Sequence, residues 1–247
     1  MFVTMAASAA AQDAQAILAA SDAIRNPDRP FGITVTLTEY RNGVRTEVTT
    51  LAVVSKADPG SGRFNSLVRF VAPARDANKL MLKAGNDMWF YDPESKASIR
   101  LSPQQRLLGQ AANGDVVTVN LSRDYEARLE AEEEILDGDR RQCRCHRLLL
   151  SATSPAVTYH RIEHWIEATT NRPVKARFYA ESGALLKTAY YRRYQRELGV
   201  ERPTETVIID GLEPGWITVM RYADYAFRDV PDEWFQRDYL PRFRAAR

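Results

Sequence analysis

Over much of its length this 247-residue chain alternates apolar and polar residues with a period of two, broken at short intervals by turn signals. Phe31, Ile33, Val35 and Leu37 interleave with Gly32, Thr34, Thr36 and Thr38, which is a strand with one apolar face. Asn42-Gly43 then marks a hairpin. Further strands are expected near residues 44–56, 63–71, 80–82 and 88–91, with a turn and a second short strand before Ser102. The rhythm resumes after Tyr125, with strands expected at 126–136, 141–152, 157–168, 174–180, 185–194, 206–210 and 216–222. Asp137-Gly138 and Ser182-Gly183 mark two of the turns, and a piece from Pro231 to Leu240 closes the chain. Strands that follow one another through tight turns form an antiparallel meander. A single sheet of ten or eleven strands must curl. The expected fold is therefore α+β: one curled antiparallel sheet, an incomplete β-barrel of about ten or eleven strands, with helices covering its concave side.

Two segments carry helical signals. Ala14, Ile17, Leu18 and Ile24 recur at helical spacing, and Asn26-Pro27 ends the pattern. Ser102 is a good N-cap with Pro103 at the first helical position, Leu107 and Leu108 supply an apolar side, and Gly109 or Gly114 ends the turn. These two segments are the expected cover. Residues 1–11 are small and apolar, and Ala9-Ala10-Ala11 fits an A-x-A cleavage pattern, although a basic n-region is missing. They read as the remnant of a secretory leader or as an Ala-rich terminus, and the cleavage pattern favours the leader. Residues 12–247 read as a single domain, without linker or internal repeat. No Cys sits at the cleavage site for lipid attachment, and no apolar run reaches the roughly 18 residues of a membrane span.

Charge excludes little but points away from polyanions. The net charge is +2, so no nucleic-acid partner is expected. Local basic groups (Arg140, Arg141, Arg144, Arg147; Arg192, Arg193, Arg196) are answered by Glu130 and Glu132 to Glu134 on expected neighbouring strands. No nucleophile elbow, phosphate loop, dinucleotide fingerprint or zinc-protease motif is present, and no enzymatic activity is expected. The nearest thing to a reactive cluster is Cys143, Cys145 and His146, with His160 and His164 downstream. A hairpin about Ser154-Pro155 would set Cys145 opposite His164, and thiolate with imidazole suits zinc. A one-residue slip moves His164 to the other face. A small hydrophobic Cys pair with surface histidines explains the same residues, so no metal or other cofactor is expected. A Cys143–Cys145 disulfide is disfavoured, because residues two apart on a strand have Cα atoms near the roughly 6.5–7 Å upper limit.

The aromatic residues are spread over most of the strands. They can be an ordinary core. A curled sheet under a thin cover can instead leave an apolar cavity, and such a cavity suits an acyl chain.

The stretch DMWFYDPESKASIRLSPQQRLLGQAANGD, residues 87–115, resembles a segment of periplasmic outer-membrane lipoprotein-sorting proteins, which are similar to the LolA/LolB lipoprotein-carrier superfamily. YHRIEHWIEATTNRPVKARFYAESGALLKT resembles hairpins of the same family, and Thr218-Val219-Met220 before a final VPDEWF agrees. The ordered set, from about Ala14 to Leu240, carries the likeness rather than any one motif. The resemblance implies a periplasmic carrier that holds lipid or lipoprotein acyl chains, with an inner-membrane exporter and an outer-membrane acceptor as partners. The expected apolar lining is Ile33, Val35, Leu37, Val68, Phe70, Trp89, Tyr91, Leu107, Leu108, Trp165, Phe178 and Trp216. The alternative on the same scaffold is an envelope sensor or adaptor that binds a protein partner.

Overall fold

The computed structural model describes residues 3–244, with side chains from residue 13 onward. The expected leader, residues 1–11, falls outside the residues whose side chains are described. Helix α1 (Val3–Arg25) opens the chain. Strands β1 (Phe31–Arg41), β2 (Val44–Ala57), β3 (Phe64–Ala72), β4 (Leu80–Ala84), β5 (Asp87–Asp92) and β6 (Ala97–Leu101) follow. A two-stranded hairpin, β7 (Arg106–Leu108) and β8 (Ala111–Ala112), and the one-turn helix α2 (Leu121–Asp124) come next. The second run comprises β9 (Tyr125–Leu136), β10 (Gln142–Ala152), β11 (Arg161–Glu167), β12 (Pro173–Tyr179), β13 (Leu185–Glu197), β14 (Val200–Asp210) and β15 (Trp216–Phe227).

Thirteen strands form one antiparallel sheet in the order β6-β5-β4-β3-β2-β1-β15-β14-β13-β12-β11-β10-β9. This exceeds the ten or eleven expected, because even the short Ala97–Leu101 keeps a full ladder against β5. The first and last strands meet in the middle, with Val35 opposite Tyr222 and Leu37 opposite Met220. The edges, β6 and β9, do not pair with each other, so the sheet curls without closing. Asn42 and Gly43 take positive φ of 49° and 81°, the type I′ geometry that matches strand twist. The turn at Leu198-Gly199, φ 49° and 83°, starts β14 at Val200 rather than at Thr206. Residues 153–160 are loop, so β11 begins later than its alternation indicated.

This strand order has a topological consequence. A chain leaving β6 at one edge must cross the concave face to start β9 at the other. Residues 102–124 make that crossing and are the cover. The expected helix from Ser102 does not form. Residues 102–108 are too few to pass the helix nucleation barrier without strong packing. Gly109 then turns the chain at φ +53°, where a Cβ would run into Thr218 Oγ1. The backbone instead makes a hairpin, closed by Asn113 N–H to Gln105 O at 2.8 Å and Gly114 N–H to Pro103 O at 2.9 Å.

Helix α1 supplies the other part of the cover. Ala14 and Leu18, one turn apart, are fully buried against the sheet. Gln15 bonds Ser122 O at 2.7 Å and receives Ala127 N–H at 2.9 Å, tying α1 to the start of β9. Arg202 donates to Ile24 O at 2.7 Å and satisfies a carbonyl at the end of the helix. The convex face of β3–β5 has its own cover. Val230, Phe235 and Leu240 pack there on Leu67, Leu80, Leu82 and Tyr91. That part of the sheet is dry on both sides.

Candidate functional site

Beneath the cover, the concave face encloses a cavity of about 180 Å³. Its apolar wall comes from β1 (Ile33, Val35), from β5 (Met88), from the crossing segment (Val116, Val117, Leu121) and from Ile162, Phe178, Ile208 and Met220. Inward direction follows from register: Val35, Tyr222 and Leu51 share one row, and Ile162 stands beside Phe178. A second concavity, about 600 Å³ and more open, runs beside α1 and is lined largely by small or polar side chains such as Ala16, Ala19 and Asn120. The first is the candidate site, since it is both enclosed and apolar.

The structure divides the expected lining residues. Ile33, Val35 and Phe178 line the cavity. Leu37, Val68, Phe70 and Leu108 belong to the surrounding core, with Leu107 packed against it, but do not reach the cavity. Trp89 and Tyr91 are on the wrong face. Leu82 stands opposite Trp89 and Leu80 opposite Tyr91, and all four pack on the convex side under the C-terminal turns. Their neighbours Met88 and Phe90 point inward instead, Phe90 meeting Phe70 edge-to-face at 6.1 Å. One position of parity exchanges the two sets. Trp165 is also convex, buried with Cys145 and Val174, its indole N–H on Glu133 at 2.7 Å. Trp216 sits at the rim, opposite Arg41, with the guanidinium groups of Arg41 and Arg106 at 3.2 and 4.1 Å from its ring centre. It holds the hairpin of the cover to the sheet rather than facing the cavity.

The Cys/His residues do not converge. Cys145 lies opposite Glu167 and Leu148 opposite His164, so Cys145 and His164 are on opposite faces. Cys143 and Cys145 are free thiols with sulfurs 3.4 Å apart. Burial pushes both thiols above their ordinary pKa. No group of three or more metal-ligating side chains occurs among the described residues.

The cavity also contains an ionisable cluster that the sequence reading did not anticipate. Lys187, 4% exposed, pairs with Asp115 of the cover and donates to Gln110 O at 2.9 Å. Tyr159 donates to the same carboxylate at 2.7 Å, and Ala112 N–H does so at 2.7 Å. Burial pushes the Lys187 ammonium below the ordinary lysine range, and the Asp115 carboxylate opposes that shift. Burial and the same carboxylate push the Tyr159 hydroxyl well up. Gln110 N–H also reaches Thr218 Oγ1 at 2.7 Å, and Thr118 Oγ1 bonds Ser55 Oγ at 2.7 Å. The cover is thus pinned by polar contacts, each of which water can replace when it opens.

Further along β13, Tyr191 continues the row that holds Lys187 and Ala189, and Tyr222 donates to Thr206 at 3.1 Å. Arg25, paired with Asp22 at 2.5 Å, lines this end. His164 lies edge-on to Tyr191, ring centres 5.9 Å apart. Its Nδ1 is 3.2 Å from Lys175 O and so carries the proton, while Nε2 has no partner among the described residues. Burial, reinforced by the Arg25 charge, lowers the His164 pKa to about 3, so the ring is neutral. The sequence signal for this wall was weak. In Leu185–Tyr191 both parities carry large apolar or aromatic groups, so alternation does not show which side faces in.

The comparisons with known proteins agree with this architecture. A family model described as "Uncharacterized protein" matches residues 62–242. A crystal structure of a LolA superfamily protein from Nitrosomonas europaea is 35% identical, with a TM-score of 0.81, covering 92% of this chain and 98% of that one. A DUF1329 family protein from Desulfovibrio piger is 20% identical, with a TM-score of 0.78, over 94% and 99% of the two chains. An outer membrane lipoprotein-sorting protein domain from Vibrio parahaemolyticus is 18% identical, with a TM-score of 0.76, over 94% and 99%. The last two show the fold alone. No curated protein matches the chain. No catalytic family is indicated, and no helix among the described residues is long and apolar enough to cross a membrane.

Proposed function

The chain belongs to the LolA superfamily, and from that premise we propose that it is a periplasmic carrier holding an acyl chain of a lipid or lipoprotein in the concave cavity. Lipoprotein sorting to the outer membrane, or lipid transport, is the process it serves. The observation that carries this reading is an enclosed apolar cavity under a cover attached mainly by polar bonds. At about 180 Å³ the cavity is smaller than the roughly 300–1,000 Å³ of typical ligand pockets. A long acyl chain therefore requires residues 102–120 to move outward. Each methylene that enters contributes about 0.8 kcal/mol, so a chain of ordinary length outweighs the loss of several polar contacts at about 1 kcal/mol each.

The reading as an adaptor for a protein partner rests on the open edges β6 and β9. Edge β9 carries Glu126, Arg128, Glu130, Glu132 and Glu134 at alternate positions. Charges of this kind discourage strand addition, which favours the carrier. Native mass spectrometry of protein purified without detergent tests the proposal. Bound acyl species released by organic extraction are expected. A protein that remains empty when offered fatty acids, phospholipids and acylated peptide overturns it.

A further inference from the structure

Four cations line the cavity, and their partners differ in a way that identifies a ligand group. Arg25 pairs with Asp22, Arg63 with Asp124 at 2.7 Å, and Lys187 with Asp115. Lys83 has no carboxylate partner among the described residues. Its Nζ is held by two carbonyls, Phe64 O at 2.9 Å and Gly85 O at 3.2 Å. An ammonium has three N–H donors, so one remains free and the full charge remains uncompensated. The inward register explains how Lys83 reaches the site. It stands between Ser66 and Met88 on the concave face, and Met88, Phe31 and Ile33 line the cavity with it. Arg63 and Asp124 line the same side. Half-burying a cation without a counter-charge is unfavourable, and the free donor with its apolar neighbours has the character of an amphiphile site.

We infer that Lys83 receives the acidic headgroup, carboxylate or phosphate, of an amphiphile whose alkyl chain occupies the cavity. The inference rests on the carrier reading and narrows it to ligands with an oxyanion next to the chain. Desolvation already holds Lys83 below the ordinary lysine pKa, and an arriving anion relieves that cost. Of the guanidinium at Arg63, Nε is engaged by Asp124 and one terminal nitrogen by Arg123 O at 3.1 Å. Its remaining nitrogen is left to turn toward the same headgroup.

Displacement of an apolar fluorescent probe by dodecanoate, dodecyl phosphate and dodecanol tests this on the full chain and on Lys83→Met. The wild type is expected to bind one or both anions roughly tenfold more tightly than the alcohol, the scale of one charge-assisted hydrogen bond. The stronger of the two anions tells phosphate from carboxylate. Lys83→Met is expected to lose the preference and to keep its affinity for dodecanol, while Lys83→Arg keeps both. Equal affinity for all three in the wild type, or an undiminished preference in Lys83→Met, overturns the headgroup site and leaves the carrier reading standing. Failure of all three to bind overturns both. Should Lys83→Met not fold, judged by circular dichroism, Lys83→Gln takes its place, and the wild-type preference is read without any variant.

Discussion

The two lobes of the sheet present different surfaces to the same concavity. In β2–β5 the inward row is Leu51, Val53, Val68, Phe70, Met81 and Phe90, an uninterrupted apolar surface, and the convex side is dry as well under Phe235 and Leu240. In β11–β15 the inward row includes His164, Lys187, Tyr191, Thr206 and Tyr222. The convex side of that lobe is charged, with Glu205 held by Arg192, Arg193 and Arg221. The first lobe holds itself together by packing. The second holds the cover, and with it the cavity, by directional polar contacts. Apolar density alone therefore marks the structural lobe and misses most of the functional one.

The sharpest test of that contrast is to remove the central polar contact of the second lobe. Lys187→Met leaves the Asp115 carboxylate buried without its cation, and the loss of stability is expected at about 3–5 kcal/mol. The cover should also loosen, read as faster amide exchange in residues 102–120 than elsewhere. If exchange rises equally throughout the sheet, Lys187 does not act through the cover. In the first lobe, Met81→Ala is expected to cost about 2–5 kcal/mol by denaturant titration while amide exchange in the cover keeps its wild-type pattern. A selective loosening of the cover in that variant would erase the distinction between the lobes.

A third test uses pH. His164 has a folded pKa of about 3 against about 6.5 unfolded, so the unfolded chain binds a proton that the folded one rejects. Its contribution to stability is complete above about pH 6.5 and falls by about 1.4 kcal/mol per pH unit down toward pH 3. His164→Phe is expected to flatten the wild-type slope by that amount in denaturation at pH 4.5 and 6. An unchanged slope would show that the ring accepts a proton in the folded state. The smallest effect belongs to the rim. Arg106→Gln removes one of two guanidinium groups over Trp216 and is expected to cost about 0.5–1 kcal/mol. Indole fluorescence of Trp216, followed with the other three tryptophans replaced, should show greater solvent access.

The sequence carried the two-residue period, the hairpin at Asn42-Gly43, the end of α1 at Asn26-Pro27 and the ordered motifs of the LolA superfamily. Those are local properties, set by φ preference, side-chain alternation and the spacing of turns. Which parity faces the cavity was decided elsewhere. Leu80-Met81-Leu82 and Met88 to Tyr91 are apolar on both parities, so alternation alone could not show that Phe90 points in and Trp89 points out. Consecutive apolar residues of that kind do signal a strand covered on both faces, and only the tertiary structure showed the C-terminal turns supplying the second cover. The cover on the concave side was likewise a matter of topology. Its helix signal at Ser102-Pro103 was real but short, and the need to cross from β6 to β9, with Asp115 reaching Lys187 far along the chain, determined the conformation instead. Long-range pairing is invisible to local pattern because its partners meet only after the sheet has curled.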